Sequence, residues 1–353
     1  MRSPYSNLPA RNFWKSGVAE QNPLTITGLY KKKFAIEPDC KIATAGSCFA
    51  QHIGRYLRRL NFNVIDAEPA PPGFSMEMAR TSGYNTYSAR YGNIYVVRQL
   101  LQLAQEAYGV FTPRNMVWEK DGRFYDALRP SVEPHGLKDA ASVMRHREEH
   151  LKRVRQVLET ADLFIFTLGL TEAWVDADSD TVYPTAPGTI AGDLDAQKCR
   201  FKNFSFAEIY RDFIEFRLFA KERNPKIKFL LTVSPVPLTA TASANHVLTA
   251  TTYSKSVLRA VAGQLYDEFD DVEYFPSYEL VASPFSRGFF FEPNLRSVSE
   301  AGVAAVMRVF LAEHQPARAA DGAAPERTTA GADAENEAED VVCEDILLEA
   351  FAR

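Results

Sequence analysis

The sequence has few cysteines and no long apolar run. Its four cysteines are scattered, without a CxxC pair or the spacing of metal ligands, at Cys40, Cys48, Cys199 and Cys343. This scatter argues against a disulfide framework or a zinc site and indicates reduced thiols. No stretch of about 18 consecutive apolar residues occurs, as a membrane span requires, and residues 1–17 lack the apolar core of a signal peptide. We therefore predict a cytoplasmic protein without a membrane span.

No side-chain pattern in the sequence points to a metal or a cofactor. His146 and His150 stand four residues apart in a stretch with helical periodicity, a spacing that can bind a metal jointly. No HExxH motif accompanies them, so a solvated helix face is the simpler interpretation. A strong charge of one sign is also absent, because 40 Lys and Arg residues face 45 Asp and Glu residues. We therefore expect no metal, no cofactor and no nucleic-acid partner.

The chain is long enough for one large domain with appendages. It has 353 residues, of which 46% are hydrophobic. Residues 1–35 lack a sustained period and predict an extended N-terminal arm, whereas 36–312 predict an α/β domain. Residues 313–353 form an acidic segment whose composition predicts disorder, since ten Asp or Glu face three Arg from 315 onward. Helical spacing near its end predicts a short terminal helix, either unpartnered or docked on a protein partner or on the chain itself.

The pattern around Gly46 and Ser47 predicts a strand, a tight turn and a helix. A short apolar run ends at Gly46, and apolar residues resume on one helical face at Ile53, Leu57 and Leu60. Glycine allows a sharp turn, so Ser47 is expected at the end of the strand, near the free N–H groups of the helix. Its hydroxyl is either a helix N-cap or a nucleophile at the carboxyl edge of a sheet, where backbone N–H groups can stabilise an oxyanion.

Strand and helix signals alternate along the chain. Strands are predicted at 62–66, 161–169, 227–233 and 272–276, and helices at 140–160, 206–222 and 299–310. The second of these strands is apolar throughout, which is typical of a central parallel strand buried on both faces. The alternation predicts a three-layer, flavodoxin-like parallel sheet with Ser47 at the end of its first strand. An inserted segment is expected to contain a hairpin turn at 120–122.

Several motifs resemble one known family. Gly46-Ser47-Cys48-Phe49-Ala50 is the signature of the GSCFA family, and the similarity extends over residues 4–310. Other matching stretches follow in order at residues 4–9, 13–14, 91–95, 232–236 and 253–256. The family resembles the SGNH, or GDSL-like, hydrolases, in which a serine follows a glycine at the end of the first strand. The resemblance implies an SGNH-like fold with Ser47 as the nucleophile.

The same resemblance implies roles for residues in two loops. Gly92 resembles the glycine whose N–H binds the oxyanion in SGNH enzymes, and Asn93 is a neighbouring donor; a helix-entry turn and a cap are the structural alternatives. Thr171 stands where those enzymes carry an asparagine that supplies a further donor. Glu172 either orients a neighbour, binds substrate hydroxyls or bonds to the backbone. Trp174 either forms a face for a sugar ring or packs within its loop.

The general base departs from the SGNH pattern. Those hydrolases carry Asp-x-x-His before the last helix, and here Arg296 falls on the histidine. Arginine stays protonated and cannot accept the proton of Ser47, but it can bind an anionic group. His246, in the loop after the fourth strand, is the base predicted in its place, with Glu172 or Glu292 orienting it.

Two functions remain open from the sequence. In the first, which we favour, Ser47 attacks an acyl ester while the N–H groups of Ser47 and Gly92 hold the oxyanion, and a sugar hydroxyl or water resolves the acyl-enzyme. The protein is then an esterase or O-acyltransferase with a carbohydrate substrate. In the second, Arg296 and Thr171, which replace the His and Asn of the enzymes, indicate a catalytically inactive glycan- or protein-binding module.

Overall fold

The computed structural model describes residues 3–314 and 344–351. The chain divides into two compact units. The terminal unit comprises Met1–Glu37 and Phe275–Glu339, and the sheet unit comprises Pro38–Tyr274 and Asp340–Arg353. Among the described residues, no helix is both long enough and apolar enough to cross a membrane.

All strands of the described residues belong to the sheet unit. They are β1 (Ile42–Gly46), β2 (Val117–Lys120), β3 (Arg123–Asp126), β4 (Leu163–Leu168), β5 (Glu172–Asp176), β6 (Val182–Tyr183), β7 (Cys199–Asn203), β8 (Lys228–Val233) and β9 (Val272–Tyr274). The α-helices of the same unit are α1 (Phe49–Arg59), α2 (Met76–Thr81), α3 (Val97–Ala107), α4 (Ala140–Thr160), α5 (Phe206–Arg223) and α6 (Val247–Glu268). The terminal unit contains α7 (Ser277–Ala282) and α8 (Glu300–His314).

Four parallel strands form the central sheet, in the order β1-β4-β8-β9. This arrangement confirms the predicted α/β fold with a parallel sheet. All six residues of β4 are buried, as its uniformly apolar pattern predicted. Because parallel strands end at the same edge, the loops that follow β1, β4 and β8 meet at the carboxyl edge of the sheet.

The strand predicted at 62–66 is not formed. Only Val64 makes a bridge, which is parallel to Ile42. The bridge consists of hydrogen bonds from Ile42 N to Asn63 O (2.9 Å) and from Ile65 N to Ile42 O (2.8 Å). Val64 and Ile65 are only half-buried and have polar residues on both sides, so no alternating apolar face supports a longer ladder. A single bridge therefore stands where a flavodoxin-like sheet has its second strand.

Helices of the sheet unit lie against both faces of the central sheet. On one face, α1 brings Gly54 close to β1, where a Cβ atom on residue 54 would stand 3.4 Å from Oγ1 of Thr44. On the other face, Phe216 of α5 packs against Phe164 and Phe229, with ring centroids 5.6 and 6.0 Å apart. Successive residues of a strand point to opposite faces of the sheet. The two contacts lie on opposite faces, so the sheet and the helices on either side of it form three layers.

Two antiparallel elements are inserted between the strands of the central sheet. They are the β2-β3 hairpin and a three-stranded sheet in the order β6-β5-β7. The hairpin confirms the turn predicted at 120–122, where Asp121 (φ 51°) and Gly122 (φ 71°) adopt the left-handed conformation of two-residue hairpin loops. Trp118 of the hairpin packs on Tyr183 of the small sheet at 5.3 Å between ring centroids. The two insertions therefore share one aromatic cluster.

The terminal unit packs around Tyr30. The Tyr30 ring contacts Phe275 edge-on, with centroids 5.1 Å apart. Its hydroxyl lies 2.8 Å from Nε2 of His314, at the end of α8. These contacts join the N-terminal segment to the C-terminal helix of the same unit.

The two predicted appendages are described only in part. The segment predicted as an extended N-terminal arm includes short helical turns at Ala10–Asn12 and Lys15–Ala19. The disorder predicted for 313–353 falls mainly on residues 315–343, which lie outside the described residues. At the place of the predicted terminal helix, Glu344–Phe351 forms a 3-10 helix.

Candidate active site

The strand, turn and helix predicted around Ser47 are present. β1 ends at Gly46 and α1 begins at Phe49. Gly46 has a φ of 138°, and a Cβ atom there would stand 2.5 Å from the carbonyl oxygen of Thr167 on β4. A side chain at this position would collide with the neighbouring strand, so the turn requires glycine. Ser47 is thereby held at the carboxyl edge of the sheet.

The hydroxyl of Ser47 is buried and has no hydrogen-bond partner in the described part of the chain. The residue is 2% exposed, and its Oγ forms no hydrogen bond to any described residue. The N-cap of α1 is Cys48, and no side chain caps this helix, so the N-cap interpretation of Ser47 is wrong. An unsatisfied buried hydroxyl destabilises a fold by about 1–3 kcal/mol. A role of this oxygen in a reaction would explain why the fold carries an unsatisfied hydroxyl here.

The backbone of Ser47 is engaged on both sides. Its N–H donates to the carbonyl of Thr167 (3.2 Å), and its carbonyl accepts from the N–H of Ala50 (2.9 Å) and the hydroxyl of Tyr87 (3.1 Å). The N–H that the sequence interpretation assigned to an oxyanion is therefore used by the ladder between β1 and β4. The same bonds fix the position of the Ser47 side chain.

Asn93 is linked to Ser47 through Tyr87. The carboxamide oxygen of Asn93 accepts from the Tyr87 hydroxyl (2.5 Å) and from Nε2 of Gln51 on α1 (3.2 Å). The preceding Gly92 has a φ of 69°, and its N–H forms no hydrogen bond to the described residues. The N–H of Gly92 suits the predicted role of a donor to an oxyanion, whereas the role of Asn93 stays a prediction.

Gly92 and Asn93 also line a pocket at the surface of the sheet unit. The pocket encloses about 290 Å³, open to solvent, and Gln51 and Tyr87 form part of its wall. Arg80 of the short helix α2 forms another part. The segment between Val64 and Gly92 therefore contributes directly to this pocket.

A buried polar network holds the loop that carries Gly92. Glu68 accepts from the N–H of Arg90 (2.9 Å) and from Nδ1 of His150 on α4 (2.8 Å). The guanidinium of Arg129 donates to the carbonyl of Arg90 (3.0 Å). The expectation of a solvated face at His150 is wrong, because this residue is 1% exposed. Its partner Glu68 is remote in sequence, so the charged helix pattern gave no sign of it.

The environment of the network sets the charges of Glu68 and His150. Burial raises the pKa of Glu68, but the hydrogen bond from His150 and the positive charge of Arg129 outweigh it and bring the pKa to about 2. Burial, with the charge of Arg129, lowers the pKa of His150 to about 4, against the opposing effect of Glu68. At neutral pH a neutral imidazole therefore donates its Nδ1–H to an ionised carboxylate.

The turn from Gly169 to Thr171 lies directly against the nucleophile. A Cβ atom on Gly169 would stand 2.8 Å from the Cβ of Ser47. The N–H groups of Gly169 and Leu170 both donate to the carbonyl of Tyr95, at 3.3 and 2.9 Å. Thr171 is fully buried, and its Oγ1 has no partner among the described residues. A free hydroxyl near the turn fits its predicted role as a further donor.

Glu172 and Trp174 lie on β5, which follows this turn. An oxygen of Glu172 accepts from the Thr241 hydroxyl at 2.9 Å, and burial raises the pKa of the carboxyl group. Trp174 is half-buried and packs edge-on against Phe201 of β7, with centroids 6.0 Å apart. The structure thus gives each of these residues a packing or hydrogen-bonding partner within the sheet unit.

His246 is not hydrogen-bonded to Ser47 in this structure. It is exposed and forms the N-cap of α6, where its Nδ1 accepts the N–H of Leu248 at 3.2 Å. Its assignment as general base stays a prediction. The cap uses one ring nitrogen, so Nε2 is the atom left for proton transfer.

Glu292 and Arg296 lie in a short loop of the terminal unit. The loop is closed by the bridge between Phe291 and Val298 and by a bond from the N–H of Glu292 to the carbonyl of Ser297 (2.8 Å). Both predicted substrate-binding residues are half-buried. Their roles stay predictions.

Sequence reasoning missed the contacts that surround the predicted residues. Nothing in the sequence pairs Tyr87 with Ser47, because Tyr87 is one of several aromatics in an irregular loop. Ser254 and Lys255 carried a signal, since they lie in a stretch that matched the family. The resemblance to the family implied no role for either residue.

Comparison with known proteins agrees with the signature at Ser47. The model of the GSCFA family matches residues 41–310, a span that includes the central sheet and the turn at Gly46. A search of curated proteins and a search of solved structures each found no match. The family match covers more than half of the sequence, from the first strand to the last helix. The chain is a member of the GSCFA family.

Proposed function

We propose that the protein is a serine-dependent esterase or O-acyltransferase with Ser47 as its nucleophile. One observation carries the proposal: the Ser47 hydroxyl is buried at the carboxyl edge of a parallel sheet and neither caps α1 nor bonds to a described residue. The resemblance of the family to SGNH hydrolases, which use a serine at this position, supports the same role. Nucleophilic serines commonly occupy such a strand-to-helix turn.

The reaction proceeds in two steps through an acyl-enzyme. Oγ of Ser47 bonds to the carbonyl carbon of the substrate ester as its proton passes to a base. The tetrahedral oxyanion is held by the N–H of Gly92, the amide of Asn93 and the hydroxyl of Thr171. The ester C–O bond then breaks, and the leaving alcohol takes the proton. A water molecule or a sugar hydroxyl then attacks the acyl carbonyl and gives its proton to the base. The bond between the carbonyl carbon and Oγ of Ser47 breaks, Oγ takes the proton back, and an acid or a new ester is released.

His246 is the base of this scheme. For proton transfer its Nε2 must come within hydrogen-bond reach of Oγ of Ser47. The loop before α6 therefore has to move from the position described here, in which the imidazole is exposed. Glu172 orients the imidazole in the reacting state.

The proposed substrate is an acylated carbohydrate. Support comes from the wider SGNH relatives and from Trp174, whose half-buried ring offers a face for a sugar. Glu172 accepts hydrogen bonds from sugar hydroxyls. Replacing Trp174 by alanine is then expected to raise KM for a sugar ester more than for a simple acyl ester.

Labelling with a fluorophosphonate probe tests the proposal. An activated serine forms a covalent adduct, so wild type is expected to label and Ser47→Ala is not. Ser205→Ala serves as the matched control, because Ser205 also precedes a helix but its hydroxyl caps α5. Folded wild type that fails to label, or Ser47→Ala that labels at the wild-type rate, contradicts the proposal.

A glycan- or protein-binding module is the second candidate function. It is favoured by Arg296 and Thr171, which stand where the SGNH hydrolases carry their histidine and asparagine. A glycan array distinguishes the two. If the protein is a binding module, wild type and Ser47→Ala bind a glycan equally well and neither converts an acyl ester. If it is an enzyme, wild type removes or transfers the acyl group.

A further inference from the structure

Two adjacent residues of α6 contact the turn that packs against Ser47. Ser254 and Lys255 are buried, with exposed fractions of 0% and 1%. They belong to one of the stretches that matches the family, and the proposed mechanism gives them no role. A lysine is rarely this deeply buried, because removing its ammonium from water is unfavourable unless partners compensate.

Both residues bind the turn from Gly169 to Thr171. Nζ of Lys255 donates to the carbonyl of Gly169 at 2.7 Å. Oγ of Ser254 accepts the N–H of Thr171 at 3.1 Å. One side of α6 therefore holds the two ends of a three-residue turn.

The opposite side of this turn is fixed by the loop after Asn93 and by the nucleophile. Gly169 and Leu170 donate to the carbonyl of Tyr95. A Cβ atom on Gly169 would stand 2.8 Å from the Cβ of Ser47 and 3.0 Å from this carbonyl. The turn is thus held between α6 and Ser47, and a single residue, Gly169, separates Nζ of Lys255 from the Ser47 side chain.

We infer that Lys255 is a positioning residue for Ser47, which holds the Gly169 turn against the nucleophile and favours negative charge at Oγ. The inference rests on the proposed function for its electrostatic part only. In a buried region the attraction between an ammonium and a developing alkoxide is screened less than in water. The geometric part, in which Lys255 orders the turn, holds whether or not Ser47 reacts.

Three variants separate charge from packing. Lys255→Met keeps the length of the side chain and removes the charge, while Lys255→Arg keeps the charge. Leu258→Met is the matched control, because Leu258 is fully buried one turn further along α6. Each variant is first compared with wild type by thermal unfolding.

The pH dependence of fluorophosphonate labelling tests the electrostatic part. In Lys255→Met we expect half-maximal labelling at a pH about one unit higher, and a rate at pH 7 about tenfold lower, the factor that one pKa unit represents. Lys255→Arg and Leu258→Met are expected to keep the wild-type midpoint. An unchanged midpoint and rate in folded Lys255→Met overturns this part, since a purely structural lysine would alter stability alone.

Amide hydrogen exchange tests the geometric part independently of any reaction. The N–H groups of Gly169, Leu170 and Thr171 are expected to exchange at least about tenfold faster in Lys255→Met, because their turn loses its hold on α6. Leu258→Met is expected to leave them unchanged. If wild type does not label, the proposed function fails while this measurement still decides the positioning role. Equal exchange in wild type and Lys255→Met overturns that role.

Discussion

Gly169 lies in direct contact with Ser47, so that a Cβ atom on residue 169 would stand 2.8 Å from the Cβ of the serine. The same atom would stand 3.0 Å from the carbonyl oxygen of Tyr95. Position 169 requires glycine because a Cβ atom would not fit between Ser47 and Tyr95. The contact couples the turn after β4 to the turn after β1, which are separated by more than 100 residues in sequence.

Replacing Gly169 by alanine is expected to move Ser47 and to destabilise the fold. Overpacking of a buried site by one methyl group typically destabilises by about 1–3 kcal/mol. Labelling of Ser47 is expected to fall with it, since the new methyl group occupies the space beside Cβ of the nucleophile. Urea unfolding and the labelling rate measure the two effects.

Gly263→Ala is the control for this substitution. Gly263 lies within α6, and an added Cβ atom would meet only the flexible end of Arg259 at 2.8 Å. Alanine is favoured over glycine by about 0.5–1 kcal/mol inside a helix, so this variant is expected to match or exceed wild type in stability. A Gly169→Ala protein with wild-type stability and labelling would show that the contact with Ser47 is unimportant.

The parts of the site that follow from local rules were predictable from the sequence. The turn at Gly46 and Ser47 was predicted because an apolar run, a glycine and a helical period are contiguous. The strand that became β4 was predicted because burial on both faces leaves an uninterrupted apolar run. Long-range contacts left no such trace. The link from Tyr87 to Ser47 depends on the path of an irregular loop.

His150 shows why a local pattern can mislead. It lies in a helix rich in Arg and Glu, so the pattern indicated a solvated face. In the structure its burial is compensated by Glu68, 82 residues earlier in the chain. Helical periodicity shows which residues share a face, but it does not show which distant carboxylate stabilises a polar residue there.

Removal of the Tyr87 hydroxyl is expected to loosen the link between Ser47 and Asn93. Tyr87 is 2% exposed, and its hydroxyl lies within hydrogen-bond distance of both residues. Tyr87→Phe removes the single hydroxyl proton that these two buried acceptors share, and it is expected to destabilise by about 1–3 kcal/mol. Labelling of Ser47 should also slow, because the amide of Asn93 loses one of the bonds that orient it.

Tyr253→Phe provides the comparison, because Tyr253 lies beside Ser254 and is 48% exposed. Its stability and labelling are expected to equal those of wild type, since surface substitutions usually change stability by less than about 0.5 kcal/mol. Equal behaviour of the Tyr87→Phe and Tyr253→Phe proteins would rule out a contribution from the Tyr87 hydroxyl.

Acidification from pH 7.5 to 5.0 is expected to destabilise the fold through His150. Burial lowers its pKa to about 4 in the folded protein, from the ordinary histidine value of 6.5. As the pH falls below 6.5, the unfolded chain binds a proton that the folded protein does not, so the free energy of unfolding decreases until the pH reaches about 4. Each such proton contributes about 1.4 kcal/mol per pH unit. His314, whose pKa burial also lowers to about 4, adds to the same trend.

The contribution of His150 is isolated by His150→Gln. In this variant the difference in unfolding free energy between pH 7.5 and 5.0, measured with urea, is expected to be about 2 kcal/mol smaller than in wild type. His146→Gln, on the same helix with a side chain 47% exposed, is the control. A pH dependence that His150→Gln leaves unaltered would mean that folding does not lower the pKa of His150.

Substitution of His246 distinguishes a base from a helix cap. Nδ1 of His246 accepts the N–H of Leu248 at the start of α6. Alanine removes this cap and is expected to destabilise by about 1 kcal/mol, whereas asparagine, a favoured N-cap residue, is expected to preserve stability. Neither residue can take the proton of Ser47, so both variants should lose fluorophosphonate labelling if His246 is the base. A His246→Asn protein that labels as fast as wild type would restrict His246 to its capping role, and the base would have to be sought elsewhere.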